Sequence, residues 1–221
     1  MKKLLKKIFP PAYEWYKREL IARTVGTSSL LDLGCGFNSY VQYLDKKMHR
    51  VGVDLFDDYI KKSTASGIHD RYFKQDIRNL KNFKDRSFDA VCAADVIEHL
   101  TKEEGLVLIK EMERIAKKLV VISTPNGHRH QECYDENEFQ AHKSGWVADE
   151  FKTRGFSVLG MDGLRLLRGD MSVIRFRPRP LWSFISNITQ FFVYRYPKLA
   201  HSLFCVKKTT YDTPVPIKNR S

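Results

Sequence analysis

Cysteine is scarce in this chain of 221 residues: there are four, at positions 35, 92, 133 and 205, and no C-x-x-C pair. A disulfide framework or a zinc knuckle is therefore not expected, and a reducing, cytoplasmic compartment is the natural setting. Long apolar runs are also lacking. No stretch reaches the roughly 18–20 uninterrupted apolar residues of a membrane-spanning helix. In the opening MKKLLKKIF, lysines interrupt the apolar residues, so no signal-peptide core forms. Internal repeats and low-complexity tracts are missing. What is present is a core-forming composition, 43% apolar and 12% aromatic. It suits one α/β domain with additions and excludes wholesale disorder.

Acidic residues are few at the two ends, two in residues 1–20 and two in residues 165–221. Of the formal net charge of +12, residues 1–20 contribute +4 and residues 165–221 contribute +9, while the stretch between them sums to −1. A near-neutral body with basic ends predicts that the body holds the general chemistry and that the ends meet something anionic.

Near-continuous apolar runs of strand length fall at 30–33, 50–54, 72–76, 88–95, 119–124, 156–162 and 203–208. Such runs predict strands buried on both faces. Helical patterns lie between them. At 101–118, Thr101-x-x-Glu104 has the form of a capping box, and Leu106, Ile109, Met112 and Ala116 form one stripe. A second helix is expected over 144–154, ending before Gly155, with Trp146 packing it onto the sheet. This alternation predicts a doubly wound sheet with right-handed crossovers. The organisation expected is a basic, aromatic helical extension (1–25), a core (26–164), a helical insertion (165–202), and a last strand with a basic tail (203–221).

The strongest motif is Leu31-Asp32-Leu33-Gly34-Cys35-Gly36. A strand running into glycines turns tightly and lets a ligand approach the backbone. Asp54, at the end of the second strand, suits the two hydroxyls of a ribose. The third glycine of G-x-G-x-x-G is missing, since that position is Ser39. Asp32 ahead of the turn would repel a pyrophosphate but attract an ammonium group. S-adenosylmethionine combines that amine with a ribose and carries no phosphate. Asp76 is then placed to accept from the adenine amine, and Ile77 to cover the ring. A dinucleotide dehydrogenase is the competing reading.

The order LDLGCG, VGVDLF, QDI, FDAVCAADVIEHL, STPNG resembles the class I S-adenosylmethionine-dependent methyltransferases over roughly residues 28–163. The resemblance implies a Rossmann-like seven-stranded sheet whose last strand, LFCVKK, is antiparallel. It implies Asp32, Gly34, Cys35 and Gly36 at the methionyl part, Asp54 and Leu55 at the ribose, Asp76 and Ile77 at the adenine, and Ala94 and Asp95 beside the methionine and the acceptor.

Methyl transfer from a sulfonium is an in-line displacement, and an oxygen acceptor needs a base or a metal to remove its proton. His99, just after the fourth strand, is the candidate base. Asp95, Glu98, His99 and His142 form an alternative set of ligands for a divalent metal. Metal-assisted small-RNA 2′-O-methyltransferases and ubiquinone-pathway O-methyltransferases carry a similar set. The favoured expectation is that Glu98 and His99 are structural toward the next helix and that no metal is needed. His128 and His130 fall in the same loop-rich region. No N-P-P-Y-type tetrapeptide for amino acceptors follows the fourth strand, which favours oxygen.

Leu181, Phe184, Ile185, Ile188, Phe191 and Phe192 share one helical face, with Ser183, Ser186, Asn187 and Gln190 on the other and basic residues flanking. Residues 1–8 have the same amphipathic character. Two arrangements are open: the insertion lies on an anionic membrane surface, apolar face down, or it folds as a lid over the acceptor site, apolar face inward. The expected acceptor is a small or lipid-linked molecule, a sugar or a quinone. RNA ranks behind it as partner, and a cofactor-binding subunit without turnover is the remaining alternative.

Overall fold

The computed structural model describes residues 10–133 and 137–209. The amphipathic segment expected over residues 1–8 and the basic tail beyond 209 lie outside the described residues.

Seven strands form one sheet in the order β3-β2-β1-β4-β5-β7-β6. The strands are β1 (Ser29–Leu33), β2 (His49–Asp54), β3 (Arg71–Lys74), β4 (Phe88–Ala94), β5 (Ala116–Pro125), β6 (Ser157–Leu164) and β7 (Ala200–Lys208). The pairings β3–β2–β1–β4–β5 are parallel, and β7 runs antiparallel between β5 and β6. This is the Rossmann-like, doubly wound arrangement that the alternation and the resemblance imply.

The apolar runs form strands because both of their faces are covered. Side chains alternate across a strand. Leu31, Leu33, Val51, Val53, Val91, Ala93, Val120 and Ile122 therefore pack in one layer, and Leu30, Ala90, Cys92, Leu119 and Val121 in the other. Each buried Leu, Ile or Val side chain contributes about 1.5–3 kcal/mol. The first layer is closed by α3 (Lys102–Ile115), which buries Leu108, Ile109, Met112 and Ile115. Thr101 caps α3 in a complete capping box with Glu104. The second layer is closed by α1 (Ala12–Thr24) through Tyr16 and Leu20. Helix α2 (Asp57–Ser66) follows β2, and its left-handed C-cap is Gly67.

Several boundaries differ from the sequence expectation. The pattern over 101–118 stops at Ile115 because Ala116 turns extended and pairs with Phe88, so β5 starts where the helical stripe still reads as apolar. β3 ends at Lys74, which leaves Gln75 and Asp76 in the loop at the carboxyl edge. The helix expected over 144–154 is the short α4 (Ala148–Lys152). Trp146 precedes α4: it bridges to Asn126 and Gly127 and is buried against Gly105, where a Cβ would meet its ring at 2.5 Å.

Between β6 and β7 lies α5 (Arg179–Val193), and of the two facings left open it has the apolar face outward. Its polar face points inward: Ser186 and Gln190 are buried, while Leu181, Ile188 and Phe192 are 52%, 41% and 51% exposed. The cause is an irregularity in β6 between Met161 and Leu164, which leaves backbone groups without ladder partners. Gln190 donates to the Gly160 carbonyl (2.9 Å) and accepts from the Gly163 N–H (2.9 Å), and Thr189 accepts from the Leu164 N–H (3.0 Å). Close approach needs glycine, since a Cβ at Gly163 would lie 2.4 Å from the Ser186 carbonyl oxygen. At the end of α5, Tyr194 donates to Glu19 of α1 (2.6 Å) and packs with Trp15. Among the described residues, no helix is long and apolar enough to cross a membrane.

Candidate functional site

The carboxyl edge of the parallel strands carries the candidate site. The turn after β1 takes left-handed backbone at Gly34 (φ 65°) and Gly36 (φ 55°), and a Cβ on Gly34 would lie 2.5 Å from a Val96 methyl. The Gly36 N–H donates to Asp54 Oδ2 (2.8 Å), and the Phe56 N–H donates to Oδ1 (2.9 Å). Burial pushes the Asp54 carboxyl above its usual range, against these backbone donors, which favour the charged form. Asp54 is thus fixed at the tip of β2, with accepting capacity left on both oxygens.

Asp32 is buried, and its Oδ2 accepts from Ser39 Oγ (2.6 Å) and lies 2.9 Å from His69 Nε2. This support was missed in the sequence, because His69 lies 37 residues from Asp32. Gly52 makes room for it: a Cβ there would lie 2.9 Å from Cys35 Sγ and 3.1 Å from the His69 ring. Cys35 is buried, with burial pushing its thiol up, and its N–H donates to the Val53 carbonyl.

Two cavities meet at this edge. The smaller, about 120 Å³, is lined by Asp54, Leu55, Asp76 and Ile77, the residues expected at the ribose and adenine. The larger, about 400 Å³, is lined by Asp32, Cys35, Ala94 and Glu98, and also by Arg129, His142 and His201. Gly34, Gly36, Asp95, His99 and Gln140 line both. Asp76 does not present a free carboxylate: hydrogen bonds from Arg78 hold it below the usual range. The loop after β5 supplies Asn137, Phe139 and Gln140 over the smaller cavity and His130 to the larger. His128 packs against Gly145 instead.

Backbone strain concentrates here. Asp95 (φ 54°), Asp162 (φ 65°) and Ser172 (φ 59°) have left-handed backbone and all line the larger cavity. Asp95 accepts from Ser123 Oγ (3.2 Å), and burial, together with the charge of Asp162, pushes its carboxyl up to about 6.

His99 is half-buried at the junction, and burial pushes its imidazole down to about 4, so the ring is neutral near pH 7. Its Nδ1 lies 3.2 Å from the Ala141 carbonyl, and His142 Nδ1 lies 2.8 Å from the Arg129 carbonyl. Both carbonyls select the Nδ1–H tautomer and leave Nε2 as the lone-pair nitrogen. Glu98 accepts from Thr124 Oγ1 (2.9 Å), and burial pushes its carboxyl well up. Ligand atoms of Glu98, His99 and His142 lie within 4.8 Å of one another. Asp95 falls outside this group, which narrows the alternative four-residue set to three: its short side chain is turned to Ser123. The three that converge fit a divalent cation, because histidine ligands whose other nitrogen is fixed by a carbonyl are the usual supporting arrangement.

Residues 31–122 match a family described as a methyltransferase domain. No curated protein matches the sequence. Among solved structures, a SAM-dependent methyltransferase from Archaeoglobus fulgidus superposes with a TM-score of 0.60 at 19% identity, over 94% of this chain and 99% of that one. The methyltransferase domain of bacterial CtHen1-CN gives 0.56 at 18% identity, over 89% and 99%. The plantazolicin methyltransferase BamL, solved with a triazolic desmethylPZN analog and SAH, gives 0.52 at 15% identity, over 88% and 83%. At these identities the structural likeness establishes the fold.

Proposed function

We propose that this chain, residues 31–122 of which match a methyltransferase domain, is a class I S-adenosylmethionine-dependent methyltransferase that methylates an oxygen of a small or lipid-linked acceptor. The observation that carries the reading is the junction of the two cavities at Gly34, Gly36, Asp95 and His99. Adenosine fits the smaller cavity against Asp54 and Ile77. The methionyl ammonium fits near Asp32, and the larger cavity then holds the acceptor beyond the sulfur. The sulfonium is already activated, so the chain's work is to align an acceptor oxygen in line and exclude water. His99 Nε2 is the group that takes the proton from the acceptor hydroxyl as its oxygen forms the bond to the methyl carbon and the carbon–sulfur bond breaks.

The outward apolar face of α5, flanked by exposed Arg177, Arg179, Arg195 and Lys198, supports a lipid-borne acceptor, because such a face lies on an anionic bilayer. The test is transfer of labelled methyl to a membrane lipid extract. Label that partitions into the organic phase and resists mild alkali is the expected result, and it disappears with His99→Ala. Label confined to an RNA fraction, or on nitrogen, overturns it.

The convergence of Glu98, His99 and His142, with both histidines oriented by backbone carbonyls, favours a second reading in which transfer is metal-assisted. A divalent cation bound there would polarise the acceptor hydroxyl and ease its deprotonation. An RNA 2′-hydroxyl is the acceptor alternative under that reading. Mg²⁺ or Mn²⁺ titration followed by thermal melting, with His142→Ala as control, decides it: a shift seen in the wild type alone supports the metal, and no shift in either removes it.

A further inference from the structure

The wall of the larger cavity includes a group of donors that methyl transfer does not use. Arg129 lines that cavity together with His201, Ser172 and Ser202, and none of the four lines the smaller one. Arg129 Nη2 lies 3.3 Å from His201 Nδ1. A guanidinium only donates, so this contact requires a neutral His201 whose remaining N–H, at Nε2, is a second donor. The Nε of Arg129 is buried and has no hydrogen-bond partner.

Arg165, Arg168 and Arg175 lie close enough that their charges act on Arg129 and His201, or on His201 alone. Arg168 is held in place, donating through Nε to Ser186 Oγ (3.1 Å) and through Nη1 to the Ser172 carbonyl (2.9 Å). Among the described residues, none of these four arginines takes part in an ion pair. The acids that act on them are Asp162 and Asp170. Arg165 and Arg175 are exposed to solvent, whereas Arg129 is half-buried in the cavity wall. A half-buried guanidinium with an unused donor is costly unless an anion completes it.

We infer that Arg129 and His201 form an oxyanion subsite in the acceptor cavity, which takes a phosphoryl group carried by the acceptor. The oxygens of a phosphoryl group accept from the guanidinium fork, the His201 N–H and the hydroxyls of Ser172 and Ser202, and so complete the buried Arg129 Nε and Ser172 Oγ. The inference rests on reading the larger cavity as the acceptor site. It narrows the acceptor to a phosphorylated molecule, either a soluble sugar phosphate or a polyprenyl phosphate in a bilayer.

The test uses the full chain saturated with S-adenosylhomocysteine, in two arms. Glucose 1-phosphate is titrated calorimetrically, and phosphatidylcholine vesicles with and without polyprenyl phosphate are co-sedimented. In at least one arm the wild type binds, and Arg129→Gln and His201→Gln weaken binding by roughly tenfold or more, as expected for a lost charge-assisted hydrogen bond, while Lys208→Gln does not. The responding arm identifies the carrier. If the wild type binds in neither arm, or if both variants bind as the wild type does, the subsite is overturned. A parallel titration with S-adenosylhomocysteine separates the two readings, because loss of cofactor binding in the wild type would undo the methyltransferase site itself, whereas intact cofactor binding with no phosphate response undoes the subsite alone.

Discussion

Asp54, His99 and His201 show how one cavity edge gives similar polar groups different tasks. Asp54 is anchored by two backbone donors and keeps lone pairs that suit the proposed ribose contact. Asp54→Asn is expected to weaken S-adenosylhomocysteine binding by roughly 10- to 100-fold in calorimetry, with an unchanged circular dichroism spectrum. His99→Ala is expected to lower turnover by about 10²- to 10⁴-fold, the range of a lost general base, while cofactor affinity stays at the wild-type value.

His201 carries a stability signature. Burial, followed by the charges of Arg129 and Arg168, pushes it down to about 3, against about 6.5 in an unfolded chain. Between those values the unfolded state binds the extra proton, so His201 destabilises the fold progressively as pH falls below about 6.5. His201→Gln should therefore lose less melting temperature than the wild type between about pH 7 and about pH 5. A larger loss in the variant contradicts the assignment.

Asp32, Gly34, Gly36 and Asp54 could be read from the sequence because a strand, its turn and the next strand tip follow one another in the chain. His69 under Asp32, and Arg129 beside His201, could not. Those pairs are 37 and 72 residues apart and meet only through the sheet order.

At the scale of elements, α3 was legible throughout its start and stripe, because Thr101 and Glu104 are a local signal. Its end was not, because β4 claims Ala116 by pairing with it through Phe88. Helix α5 has the position and period expected, but its facing was not legible. Periodicity identifies two faces and does not say which one the neighbour needs, and here β6 needs hydrogen-bond partners. Gly163→Ala, which forces a Cβ toward the Ser186 carbonyl at positive φ, is expected to cost about 2 kcal/mol or more in urea unfolding. The double substitution Ile188→Glu with Phe192→Glu, on the exposed face, should leave stability within about 0.5 kcal/mol of the wild type. It should also abolish sedimentation with anionic vesicles. A collapse of stability instead would mean that this face is packed.

For the whole molecule, the charge distribution and the two cavities tell one story. The near-neutral body holds the sheet edge that carries both cavities, and the basic C-terminal portion brings Arg165, Arg168 and Arg175 within reach of His201 by charge and leaves Arg177 and Arg179 exposed beside the apolar face of α5. The glycine turn and its carboxylates are the proposed cofactor seat, and the proposed acceptor site rests on it. The most direct measurement is calorimetric titration of the purified chain with S-adenosylhomocysteine. Saturable one-to-one heat, weakened in Asp54→Asn and kept in Arg129→Gln, is the predicted result; no heat in the wild type, or an Asp54→Asn curve that overlays it, would contradict the account.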